Sequence, residues 1–148
     1  MNTKSIITGG IVAAVVYFLL GWLVYGNLMR GYMMDHAGSA KHVMNFVMKS
    51  DTEMRIWAII IGNLCSGLLL AFIFERSGIM NMKAGLVMGA ILGFLMAASY
   101  DMVMYGTMNL MDKNAVIADM LIFSVISGIA GAFCGMVMGK SSRSVSVA

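Results

Sequence analysis

Ala84–Tyr105 reads AGLVMGAILGFLMAASYDMVMY, twenty-two residues with a single charge, Asp101. A helix of that length covers the ~30 Å hydrocarbon core of a bilayer. Three further stretches have the same character: Ile6–Met29, Ile56–Phe74 and Val116–Met138. In lipid every backbone N–H and C=O must be paired within the protein, so spanning segments of this kind are helices. The sequence predicts an all-α, integral-membrane four-helix bundle. The predicted domain covers 1–140, with spans at 6–29, 56–74, 84–105 and 116–138, and a flexible polar tail over 141–148.

Composition excludes several functional classes. Of 148 residues, 60% are hydrophobic and 11% charged, well under the roughly 25% charged of soluble domains. The net charge of +3 comes from basic residues placed singly near helix ends, as headgroup anchors are, and not from a nucleic-acid-binding patch. The apolar run after Lys4 is longer than the h-region of a signal peptide and has no A-x-A-like site after it. It ends in Trp22, Tyr25 and Arg30, which suit a retained span with interfacial anchors. Lys4, Arg76, Lys83, Lys140 and Arg143 lie on one side, and Arg30, Lys41, Lys49, Arg55 and Lys113 on the other. The first set occupies shorter segments, so the positive-inside rule places both termini in the cytoplasm.

The quoted stretch also carries the packing signal. Gly85, Gly89, Gly93 and Ala97 recur every four residues, and Ser127, Gly131, Gly135 and Gly139 form a similar row in the fourth span. Small residues at this spacing let helix backbones approach closely. The two rows are candidates to face one another, within one chain or between two. A weak repeat accompanies them. Ser66-Gly67 with Ala71-Phe72 matches Ser127-Gly128 with Ala132-Phe133, and Tyr25-Gly26-Asn27 matches Tyr105-Gly106-Thr107. Two duplicated helical hairpins would explain both matches.

The row in the third span continues to Asp101 and Tyr105. A carboxylate inside an apolar span is costly and is a functional candidate by default. Asp101 lies roughly 25 Å along the helix from Ala84, towards one interface. It is read either as an ion pair with Arg30 or Arg55 or as an ionisable functional group. Trp22, Tyr25, Asn27, Tyr100 and Asp119 belong to the same end, and Asn63 is the main polar residue nearer mid-membrane. Together Asp101, Tyr105, Arg30, Arg55, Asn63 and Asp119 form the candidate polar or ion site. Over this end passes the long first loop. Its Lys41–Ser50 segment, KHVMNFVMKS, sets Val43, Met44, Phe46, Val47 and Met48 against Lys41, His42, Asn45 and Lys49, as an amphipathic surface helix does.

No enzyme constellation is present, and no cofactor is implied. His36 and His42 are not at H-E-x-x-H spacing, and Cys65 and Cys134 are read as separate buried thiols. Methionine is abundant, 18 residues, and thioethers select Cu(I). Met33, Met34, His36, His42, Met44 and Met48 are the copper candidates, although scattered Met also serves as adaptable core filler.

Gly21-Trp22-Leu23-Val24-Tyr25-Gly26, Arg30-Gly31-Tyr32, Glu75-Arg76 and the Gly85–Gly93 segment together resemble a family of small bacterial four-span inner-membrane proteins, a domain of unknown function. The resemblance implies a bacterial inner-membrane location and no known activity. The family has its Trp and Tyr adjacent, whereas Trp22 and Tyr25 are three apart. Two better-understood groups differ more. Small multidrug exporters carry an acid in span one, which has none here. Fluoride channels carry an Asn followed by a Gly-Ser step, echoed by Asn63-Leu64-Cys65-Ser66-Gly67, but their Thr/Ser/Phe break has no counterpart. The expected function is a non-enzymatic accessory or assembly component in the lipid bilayer, joined to a larger membrane partner or to copies of itself. The alternatives are a small transporter or channel with Asp101 as its ionisable group, or copper handling.

Overall fold

The structure, a computed structural model, describes residues 2–50 and 52–145. Four long helices dominate it: α1 (Thr3–Leu23), α4 (Ile56–Ser77), α5 (Met82–Thr107) and α6 (Lys113–Val145). All four are long and apolar enough to cross a membrane, and the chain is an all-α integral membrane bundle. A π-helical turn, Val24–Leu28, extends α1. The first loop holds α2 (Arg30–Asp35), a 3-10 turn (Gly38–Val43) and α3 (Met44–Val47). The amphipathic stretch of that loop is therefore divided between the 3-10 turn and the single turn of α3. The fourth span is longer than its apolar run, and residues 141–145, read from composition as tail, continue α6. Residues 146–148 of that segment lie outside the described residues.

Local chemistry sets the helix ends. Asn2 Oδ1 accepts from the Ser5 N–H (3.2 Å), Asn81 Oδ1 from Ala84 (2.9 Å) and Asp112 Oδ1 from Ala115 (2.9 Å); each side chain satisfies an otherwise orphaned amide. Gly78, at φ +67°, closes α4 in the left-handed conformation, which glycine adopts without penalty.

In space α1 packs between α4 and α6, and α6 between α1 and α5. Of the four spanning helices α6 is the most buried, which fits its inner position. The outward stripes are apolar, as lipid requires: Ile7, Ile11, Val15 and Leu19 on α1 alternate with the inward Gly10, Ala13, Ala14 and Tyr17.

The most extensive helix packing joins α5 to α6. A Cβ at Gly85 would meet the Gly131 carbonyl oxygen. One at Gly89 would meet the Ser127 carbonyl and come within 3.0 Å of Gly131 Cα, and one at Gly93 would meet the Ser127 side chain. Gly135 and Gly139 lie against the Asn81 and Met80 carbonyls. The two small-residue rows thus meet inside one chain. Across α1 and α4, Gly67 abuts the Gly10 carbonyl and Ala14. Gly128 abuts Ala90 in the second hairpin, its added Cβ 3.2 Å from that of Ala90. Gly10 precedes Tyr25 by as many residues as Ala90 precedes Tyr105, so one contact recurs at matched positions of the two hairpins.

Candidate functional site

The polar interior begins with Tyr17, whose hydroxyl is 2.6 Å from Ser127 Oγ. Ser127 reaches this position because Gly93 leaves room for it. The Tyr17 ring stacks on Phe123 at 6.0 Å. Both residues are buried, and in lipid-surrounded protein their mutual bond is each hydroxyl's relief from an apolar environment.

Two turns further along, α1 changes period. The Met29 N–H bonds the Val24 carbonyl at 2.7 Å, an i to i+5 bond that inserts an extra residue into the turn. The Asn27 amide donates to the Trp22 carbonyl at 3.0 Å, covering an acceptor that the altered ladder exposes. Tyr25, within this turn, is half-buried and its hydroxyl is fully enclosed. Turns of this type are frequent at functional sites.

Opposite Tyr25, the small-residue face of α5 delivers Asp101. Its side chain is 2% exposed, because it continues the row that lies against α6. The group acting on it is Asp119 of α6, within electrostatic reach of both Asp101 and Tyr25. No donor among the described residues is directed at Asp101 Oδ2, and the Tyr25 hydroxyl reaches no acceptor with hydrogen-bond geometry. Of the two readings of Asp101, the ion pair with Arg30 or Arg55 is not seen among the described residues, and the acid Asp119 lies nearby. Arg55 is exposed ahead of α4, and Arg30 is exposed at the start of α2.

Of the six candidates, then, the structure joins Asp101 and Asp119 and adds Tyr25, which reads in the sequence as an interfacial anchor. Tyr105 is exposed. Asn63 donates to the Ile59 carbonyl of its own helix at 2.8 Å, and Ser66 to Gly62 at 3.0 Å. Tyr17 and Ser127 as a bonded pair have no sequence signal, since they are 110 residues apart.

The first loop is fastened at this end. Ala40 N–H bonds the Asn109 carbonyl (3.1 Å) and Asp112 N–H bonds the His36 carbonyl (2.8 Å), tying the loop to the α5–α6 connection. Gly38, at φ +57°, sits against Asn109 and Met111 at this seam.

At the other end Glu75 Oε1 accepts the Asn2 N–H at 2.7 Å. Glu75 Oε2 and the fully buried Ser5 hydroxyl have no partner. Between the two ends the core is filled by Phe74, Cys134 and Met138. Cys134 is buried but Cys65 is exposed on the outer face of α4, which corrects the reading of both thiols as buried.

The copper candidates are dispersed in character. His36 Nδ1 is 3.0 Å from the Tyr32 carbonyl and its ring stacks on Tyr32 at 4.2 Å. Met34, His42 and Met48 are exposed and Met44 is buried. Among the described residues no three His, Cys, Asp or Glu side chains converge on a common point.

The chain is 28% identical over 102 residues to the fluoride-specific ion channel FluC 1 of Ligilactobacillus salivarius (strain UCC118), covering 69% of this chain and 89% of the relative. No family model matches the chain, so membership of the uncharacterised four-span family gains no support. No solved structure matches it.

Proposed function

We propose that this chain is the subunit of a small ion channel or transporter and that Asp101 is its ionisable group. The observation that carries the reading is the burial of Asp101 beside Asp119 with no basic partner among the described residues. A structural acid in a membrane bundle is expected to be neutralised by a cation or by several donors, because unpaired burial costs several kcal/mol. Among the described residues Asp101 has neither, so a purely architectural role gives no reason to keep it. The likeness to an ion channel over most of that protein's length favours the same class over an accessory component, and makes fluoride the first ion to assay. Within one copy Phe74, Cys134 and Met138 fill the core between the polar ends. The proposal therefore includes a homo-oligomer or an opening movement that provides the ion's path.

The test is flux from liposomes containing the purified protein, read with a fluoride electrode and, separately, with an interior pH dye. Wild-type flux above that of empty vesicles, lost in a folded Asp101→Asn variant, is the expected result. Folded protein that moves neither ion nor any common monovalent cation, and that purifies with a stoichiometric larger partner, would return the assignment to an accessory subunit.

A further inference from the structure

We propose that Asp101 and Asp119 together bind a single proton, with the Tyr25 hydroxyl completing the site. This rests on the reading of Asp101 as the ionisable group and names its ligand as the proton.

Asp101 is 2% exposed, and its Oδ2 has no donor directed at it. The neighbouring side chain from α6 is Asp119, which when ionised is also purely an acceptor. Two ionised carboxylates side by side in a water-poor site repel strongly, and such pairs hold one proton in common. One proton removes the repulsion and supplies the donor that the buried oxygen lacks. The net charge then falls to a single negative unit spread over four oxygens. Tyr25, the third member, has its hydroxyl enclosed and beside Asp119. A small rotation lets that hydroxyl donate to the charge that remains.

Tyr25 faces Asp101 from the π-turn of α1 and Asp119 from α6. Of the other titratable groups among the described residues, His36 and Asp112 lie where the first loop is bonded to the α5–α6 connection at this end. On α5 itself, Tyr105 is the next residue of the row and is exposed. α4 sends no titratable side chain to this level, since Glu75 and Arg76 lie at its opposite end and Arg55 is exposed before its start. Lys113 and Arg30 at this end are exposed. The first loop is bonded to Asn109 and Asp112 at this end of the bundle.

The experiment is infrared difference spectroscopy of the full chain in nanodiscs. A protonated carboxyl is recognised by its C=O band and by the downshift of that band in heavy water. Glu75→Gln and Asp112→Asn assign any contribution from the other partly buried acids. Expected is one such band at neutral pH in the wild type, lost both in Asp101→Asn and in Asp119→Asn. Either amide can donate N–H to the surviving carboxylate and remove its need for a proton. No band in the wild type means that both acids are ionised, and the proposal falls. A band that survives undiminished in Asp119→Asn means that burial alone protonates Asp101, and sharing is refuted. The band is independent of transport: flux without it overturns the shared proton alone, and the band without flux overturns the transport reading alone.

Discussion

Gly85→Ala should be among the most damaging single-methyl additions in this chain. The added Cβ would meet the Gly131 carbonyl oxygen, a backbone atom in a helix that cannot rotate aside. α5 and α6 must then separate by on the order of 1 Å at this level, a gap that forfeits about a quarter to a half of each affected dispersion contact. In lipid those contacts are the main source of helix association, because burial of apolar surface gains little there. Overpacking of a rigid site costs about 1–3 kcal/mol, and the upper end applies because backbone and not a side-chain tip is struck. About 3 kcal/mol is roughly two decades in the folding equilibrium. Gly131→Ala meets the reciprocal surface, the Gly85 carbonyl and Gly89 Cα at 3.0 Å. One separation relieves both clashes, so the double variant should cost clearly less than the sum. Gly62 and Gly21 have nothing within 4 Å of an added Cβ, and their alanine variants should be neutral or slightly stabilising, since alanine is the better helix former. Reversible unfolding in mixed micelles, or steric trapping in bicelles, measures all five proteins. A Gly85→Ala variant within about 0.5 kcal/mol of wild type, the range of an ordinary surface change, would refute the close approach of α5 and α6.

Tyr17→Phe removes the 2.6 Å bond to Ser127 and leaves a buried hydroxyl unpaired, so stability should fall by about 1 kcal/mol. Adding Ser127→Ala should recover part of the loss, which a double-mutant cycle by the same unfolding assay reads directly. Phe46 is 91% exposed at the tip of the first loop beside exposed Val43, Val47 and Met48, a cluster suited to the lipid interface. A Phe46→Trp reporter should fluoresce blue-shifted and be quenched by brominated lipid; emission typical of water would place the tip away from the bilayer. Glu53 accepts from the Ser50 hydroxyl and amide, and these bonds hold its carboxyl below the ordinary range. The turn's stabilisation is thus present above the ordinary Glu value and lost as pH falls through the lowered one. NMR titration of the Glu53 carboxyl should show the low value, rising towards ordinary in Ser50→Ala.

Much of this architecture can be read without coordinates. The lengths of the apolar stretches dictate four helices because lipid leaves the backbone no other partner. Gly85, Gly89, Gly93 and Ala97 mark a packing face because small residues matter only where something comes close. What that face meets is a different matter. Nothing in the spacing distinguishes Ser127–Gly139 of the same chain from those of another, and only the folded chain places Gly85 against Gly131.

The polar site divides in the same way. Asp101 stands out in any reading of the sequence, because a charge within an apolar run needs a reason. Its partner does not stand out. Arg30 and Arg55 satisfy charge complementarity on paper, and the structure sets Asp119 there instead. Tyr25 reads as an interfacial anchor until the π-turn, a change of helical period that residue types do not announce, brings its hydroxyl to the acids. Local composition fixes which segments enter the membrane, since each residue's transfer energy is its own. Which buried groups become neighbours depends on helix rotation, on the order α4, α1, α6, α5 and on one irregular turn. Those are properties of the assembled bundle, set by the packing of all four helices at once.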